Sequence, residues 1–205
     1  HALWGVAASP LIEAGLCITG IGTEDDGAIA AFKADSGEPA WQLQGHEPGY
    51  SSPVAADVAG RRQVIVLTRK HLLGLDAKKG EVLWQVPYVV KYEQNIVTPS
   101  VSGNKVFIAG YEEPTSCIEV EASRDKMTTT LVWSNPDATF FMNSPVLCGG
   151  HLYGLAQERK GSLVCMDAGG GKVLWRSEGR MAEYASIVSA GDKLLVLTND
   201  GILRV

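Results

Sequence analysis

Apolar residues in this chain come in runs of about four, each closed by a polar, glycine-bearing turn. Val64-Ile65-Val66-Leu67, Val106-Phe107-Ile108-Ala109 and Leu194-Leu195-Val196-Leu197 are too short for helices and rich in β-branched residues, so they predict strands. A strand apolar on both faces must be covered on both faces. Shorter runs flank them: Pro53-Val54-Ala55-Ala56 before, and Leu72 to Leu75 and Val82-Leu83-Trp84 after. Turns are marked by Gly60, Gly103-Asn104, Gly149-Gly150, Gly191-Asp192 and Asn199-Asp200-Gly201.

The same phrase then returns. AFKADSGEPAW at 31 to 41, GLDAKKGEVLW at 74 to 84 and CMDAGGGKVLW at 165 to 175 each place a tryptophan four residues after a glycine. Upstream of each tryptophan stands a hydroxyl residue followed by proline: Ser9-Pro10, Ser52-Pro53 and Ser144-Pro145. A degenerate copy runs from Thr98-Pro99 to Trp133, and a fifth begins at Ser186-Ile187 without completing the phrase. Proline opens the first strand, where a missing N–H costs least. Asp76 and Asp167 begin a tight hairpin in which the side chain accepts backbone N–H groups, and Gly80 and Gly171 supply a positive φ.

Four short antiparallel strands per unit of about 40 residues is a β-propeller pattern. The expected class is therefore all-β, a propeller of four-stranded blades, with approximate repeats 5–41, 49–84, 95–133, 141–175 and 183–205 inside one segment, 1–205. The recurring tryptophans Trp41, Trp84, Trp133 and Trp175 are expected to be buried between neighbouring blades, where each holds the next in register. Stacking a ligand is the sharper alternative for them.

The phrase LDAxxGxVLW with its Ser-Pro strand opening resembles the pyrroloquinoline-quinone-like (PQQ-like) propeller repeats. Bacterial quinoprotein dehydrogenases share these repeats with non-enzymatic propellers such as the outer-membrane assembly lipoprotein. WGVAASPLIEAG, FFMNSPVLCGGHLYGL and the segment from Gly49 to Trp84 are similar to secreted bacterial propellers of this type. The resemblance implies a ring of seven or eight blades, of which 205 residues would supply an incomplete arc; the remaining blades of the same propeller are then the expected neighbours. Repeat tryptophans precede the next first strand by 12 or 15 residues, whereas Trp4 precedes Pro10 by 6. That spacing argues against a five-bladed ring closed by pairing His1 to Trp4 with Ile202 to Val205. Lys33 in place of the hairpin Asp, and the missing glycine phrase before Trp133, depart from the pattern.

Composition narrows the functions. Lys and Arg number 18 against 23 Asp and Glu, a net charge of −5, so no nucleic-acid partner is expected. No apolar stretch approaches the ~18 residues of a membrane span. Basic clusters at Arg61-Arg62 and Arg69-Lys70-His71 read as solvated turns, and Glu24-Asp25-Asp26-Gly27 as the turn between the second and third strands of the first unit. The least regular stretch, Glu112 to Thr130, reads as an insertion decorating one face.

Catalytic templates are missing. His46, His71 and His151 lack metal-ligand spacing, so no metal site is expected. Cys17, Cys117, Cys148 and Cys165 show neither CxxC spacing nor an adjacent pair, and Cys148 and Cys165 fall on the first and third strands of one unit, beyond disulfide reach. The resemblance implies that a quinone-dependent enzyme would hold its cofactor against neighbouring cysteines with calcium on Glu, Asn and Asp. No cofactor and no catalytic residue are therefore expected, and PQQ with calcium belongs to the alternative reading, part of an alcohol or sugar dehydrogenase. The favoured reading is a non-enzymatic binding or scaffolding propeller, periplasmic or extracellular by resemblance, that recognises a protein, peptide or saccharide. Its candidate ligand residues precede each first strand and lead toward the central channel: Trp4, Tyr50, Ser51, Gln94, Asn95, Phe141, Asn143, Glu183 and Tyr184. The competing reading is that these residues satisfy backbone groups at strand entrances.

Overall fold

A computed structural model describes residues 7–23, 25–124, 126–140, 142–156 and 161–205. Among them, 19 strands form five antiparallel sheets, each built from consecutive strands. The first sheet holds β1 (Leu11–Glu13), β2 (Leu16–Ile21), β3 (Ala28–Lys33) and β4 (Pro39–Gln44). The second holds β5 (Val54–Val58), β6 (Arg61–Leu67), β7 (His71–Asp76) and β8 (Val82–Pro87). The third holds β9 (Ser100–Ser102), β10 (Lys105–Gly110), β11 (Glu113–Ser123) and β12 (Lys126–Asn135). The fourth holds β13 (Val146–Cys148), β14 (His151–Ala156), β15 (Ser162–Asp167) and β16 (Val173–Arg176), and the fifth β17 (Ala185–Ala190), β18 (Lys193–Thr198) and β19 (Leu203–Arg204). A single 3-10 turn, Lys91–Glu93, is the only helical element among the described residues.

First strands meet across the seams: β1 lies against β5, and β13 against both β9 and β17. The core sits in these seams. Val64 and Val66 pack with Ile18, Ile29 and Ala31 of the first sheet, whereas Ile65 and Leu67 pack with Val106, Ile108 and Ile118 of the third. One run thus feeds two cores by strand alternation, which is why it is apolar at every position.

The Ser/Thr-Pro motif stitches the inner strands together. Ser9 N–H donates to Ser52 Oγ (2.9 Å), Ser52 N–H to Thr98 Oγ1 (3.2 Å), and Thr98 N–H to Ser144 Oγ (2.9 Å). Each hydroxyl accepts from the preceding repeat. The hairpin phrase is equally regular: Gly37 N–H bonds Lys33 O, Gly80 N–H bonds Asp76 O and Gly171 N–H bonds Asp167 O, with φ of 74°, 70° and 73° at the glycines. Asp76 Oδ1 accepts from Lys78 and Lys79 N–H, and Asp167 Oδ2 from Gly170 N–H. Lys33 keeps the same backbone turn and pairs with Glu38 instead (2.6 Å).

Every repeat tryptophan sits one residue beyond a β-bulge. Trp41 faces Ala31, Trp84 faces Gly74, Trp133 faces Cys117 and Trp175 faces Cys165, and the ladder skips the residue before each tryptophan. The extra residue turns the indole toward the following sheet. A Cβ at Gly80 would collide with the Trp41 ring, and one at Gly171 with Trp133, so these two hairpin glycines seat the preceding tryptophan. Trp133 Nε1 also donates to Ala168 O (3.1 Å).

Two expectations are corrected. Glu112 to Thr130 is no irregular insertion: it carries all of β11 and the start of β12, the two longest strands described. Burial of the tryptophans is also unequal, from 4% exposed at Trp84 to 46% at Trp175.

Candidate functional site

Loops joining each fourth strand to the next first strand share one face with the turns between second and third strands, because both lie at the same strand ends. On this face the structure brings several candidates together. Asn95 O accepts N–H bonds from Tyr50 (2.9 Å) and Ser51 (3.1 Å), and Asn95 Nδ2 donates to Thr68 O, Arg69 O and Tyr88 O. Asn95 and Ser51 are buried; Asn95 Nδ2 and its backbone carbonyl serve the backbone of the strand entrance, while Asn95 Oδ1 has no hydrogen-bond partner among the described residues. Asn143 Oδ1 accepts Leu155 N–H (2.9 Å), again a backbone duty. Gln94 and Tyr50 are half-buried. Glu183 and Tyr184 are exposed, their backbone N–H groups held by Asn199 Oδ1, and a hydrogen bond to Glu183 raises the Tyr184 phenol above its ordinary value. Trp4 and Phe141 lie outside the described residues.

Sequence reasoning missed a second set on the same face. Tyr92 and Tyr111 stack with centroids 6.3 Å apart and planes 27° apart, and Lys91 Nζ lies 5.4 and 5.7 Å from the two centroids. Lys91 also pairs with Glu112 (2.9 Å). Hydrogen bonds from Lys91 and Tyr111 hold the Glu112 carboxyl below its usual range, and the same contact with Glu112 holds Lys91 above its own. Tyr92 is 70% exposed. Tyr92, Glu93 and Glu112 all take left-handed φ, 61°, 54° and 58°. Such conformations cost a non-glycine residue about 1–2 kcal/mol each. One signal pointed here: 15 residues rather than 12 separate Trp84 from Pro99, and Lys91–Glu93 lie in that longer loop.

The arginines of the basic clusters are ion-paired, Arg61 and Arg62 while still about half exposed at their turn. Arg69 bridges Glu47 (2.7 Å) and Glu93. Arg62 pairs with Glu13 of the first sheet (2.7 Å) and with Asp57 (3.4 Å), and Arg61 with Asp76 (3.2 Å). Beside Arg69, His46 and His71 meet edge to face at 5.6 Å, where burial and then the His71 charge lower the His46 pKa.

The family described as outer membrane protein assembly factor BamB matches residues 4–177. The chain belongs to this PQQ-like propeller family. Among solved structures, BamB from Moraxella catarrhalis superimposes with a TM-score of 0.64 at 19% identity, over 96% of this chain and 59% of that one. The computationally designed Ika8 protein gives 0.60 at 13%, over 95% and 56%. The quinohemoprotein alcohol dehydrogenase ADHIIG from Pseudomonas putida HK5 gives 0.57 at 16%, over 95% and 39%. No curated protein sequence matches the chain. At these identities the structural likeness shows the fold, and the chain spans between two-fifths and three-fifths of these structures' lengths.

A PQQ-like propeller raises the question of a quinone and its calcium. Among the described residues no group of three His, Cys, Asp or Glu side chains is arranged to hold a metal ion. The four thiols are free, and burial pushes the Cys117 thiol up to about 11, away from reactivity. No helix among the described residues is long and apolar enough to cross a membrane.

Proposed function

We propose that this BamB-like chain is a binding and scaffolding propeller segment, without chemistry of its own, that recognises a protein, peptide or saccharide partner through its loop face. We place it in the periplasm or outside the cell. The observation that carries this reading is the Tyr92–Tyr111 stack. An aromatic pair, Tyr92 exposed and Tyr111 half-buried, is flanked by a cation and a carboxylate, on loops that hold three non-glycine residues in left-handed conformations. Backbone strain of this kind concentrates at ligand sites. Stacked rings offer apolar area at low entropy cost, and Lys91 and Glu112 offer a donor and an acceptor at its rim.

Peptide and glycan arrays probed with the protein and with Tyr92→Ser test this. Binding that falls at least tenfold in the variant, at unchanged thermal midpoint, supports the loop face; binding indifferent to Tyr92→Ser overturns it. Anaerobic titration with PQQ and calcium tests the dehydrogenase reading: stoichiometric binding with dye reduction by an alcohol or sugar would replace the proposal.

A further inference from the structure

Directly beneath the aromatic pair the seam between the second and third sheets is incompletely filled. Trp84, Val86 and Tyr88 alternate onto the side of the second sheet that faces the third. Trp84 seals the seam, but beside Val86 and Tyr88 a cleft of about 290 Å³ remains, walled also by Ile108, Ser116, Ile118 and Leu131. Its lining is mostly apolar. Leu131 pairs across the ladder with buried Ile118, yet it is 61% exposed because nothing covers it from the cleft side.

Two features specify what would fill the cleft. The Tyr88 hydroxyl is buried and has no hydrogen-bond partner among the described residues, and burial, with the nearby Glu113 charge, raises its pKa. That oxygen lies against Gly110, closed to solvent, so an occupant reaches it by shifting the Tyr88 ring, and the hydrogen bond it then makes is one the free protein lacks. The cleft also opens on β12, the edge strand of its sheet, ten residues long with one charged side chain, Lys126. Other edge strands are shorter, and β4 and β8 carry a proline. Unpaired N–H and C=O groups along such an edge are matched by another extended backbone, which a small molecule cannot supply.

We propose that the cleft between β8 and β12 receives an extended, uncharged segment of a partner polypeptide. One apolar side chain fills the cavity, and a backbone carbonyl accepts the Tyr88 hydroxyl. This rests on the binding reading above and adds a second, separable contact: the segment runs along β12 and reaches the rim where Val90 and Tyr88 abut Gly110, next to Tyr111. Specificity comes from the side-chain cavity, and register from the backbone pairing.

The probe is a displayed library of random heptapeptides, selected on the whole chain and titrated as free peptides by calorimetry. Expected are uncharged sequences with an apolar residue at one position, whose affinity falls tenfold or more with Leu131→Lys and with cavity-filling Ser116→Tyr. Tyr88→Phe should weaken binding by about three- to tenfold without lowering the thermal midpoint, since the hydroxyl has no partner to lose in the free protein. A midpoint that drops together with affinity would mean that the hydroxyl is structural, against the proposal. A selection that yields no converged sequence, or peptides indifferent to Leu131→Lys, overturns the cleft. Peptides sensitive to Tyr92→Ser but not to Leu131→Lys overturn it while leaving the loop-face reading intact.

Discussion

Trp84 and Trp175 occupy the same place in their repeats and meet opposite fates. Both lie one residue past a bulge, opposite the third strand. Trp84 donates to Gln63 Oε1 (2.7 Å), lies over Gly74, and packs under Ile118 and Val120 of the long β11. Gln63, fully buried, passes its own N–H to Val58 O (2.7 Å) and lies 3.4 Å from Met127 Sδ. Trp175 meets Tyr153 at 6.2 Å and is 46% exposed. A repeat motif aims the tryptophan; the neighbour decides whether it is buried. In the third repeat the hairpin glycine has gone, and long strands that fold over Trp84 do its work.

The largest test of that contrast is truncation. Trp84→Ala should cost about 3–5 kcal/mol in chemical denaturation, whereas Trp175→Ala should cost under about 1 kcal/mol. Equal losses would break the comparison and return both residues to one structural class.

Next come the glycine seats. Gly37 and Gly171 share a positive φ, 74° and 73°, but among the described residues nothing lies within 4 Å of a Cβ at Gly37, while one at Gly171 meets the Trp133 ring. Gly37→Ala should therefore cost only the backbone penalty of about 1–2 kcal/mol. Gly171→Ala should cost a further ~1–3 kcal/mol for the displaced indole. Matching midpoints for the two variants would mean that the tryptophan is not seated on the glycine.

A smaller effect belongs to the hydroxyl ladder. Thr98→Val keeps the shape and removes the acceptor for Ser52 N–H, at a cost of about 1 kcal/mol. Loss of protection at the Ser52 amide in hydrogen exchange, with distant seams unchanged, is the expected signature.

The smallest effect is one of pH. The His46 pKa is lowered in the folded state, so the unfolded chain takes up a proton first as pH falls. The stability that neutral His46 contributes is complete above the ordinary value of 6.5 and declines as pH drops through and below it. Carboxylates held below their usual range, such as Glu13 and Asp76, add their own loss only at lower pH. A lower midpoint at pH 5.5 than at 7.5, flattened by His46→Gln, is expected. An unchanged slope in the variant would assign the dependence elsewhere.

Much of the architecture was legible because its causes are local. Alternation in Val64 to Leu67, proline at strand openings, and the hairpin from Asp76 to Gly80 each depend on residues within a few positions, so the chain declares them directly. The degenerate third repeat was legible too: Trp133 keeps its bulge and its ladder partner, although the glycine phrase before it is gone. Candidate ligand residues were harder to read. Asn95 and Ser51 looked available by position, but backbone groups brought in by Thr68, Tyr88 and Tyr50 claim Asn95, and Ser51 is buried.

By itself the sequence determined the repeat, the strands, the family and the direction in which each tryptophan points, since these follow from short-range sterics and hydrophobic period. Only the tertiary structure decided which tryptophan is sealed, which basic residues are neutralised, and where Tyr92 meets Tyr111. Those outcomes depend on side chains far apart in the chain, such as Arg62 with Glu13 or Met127 with Gln63, placed together when one sheet packs on the next. The unfilled cleft at Tyr88 is of the same kind. It is the space left between β8 and an unusually long β12, and no residue of either strand announces it alone.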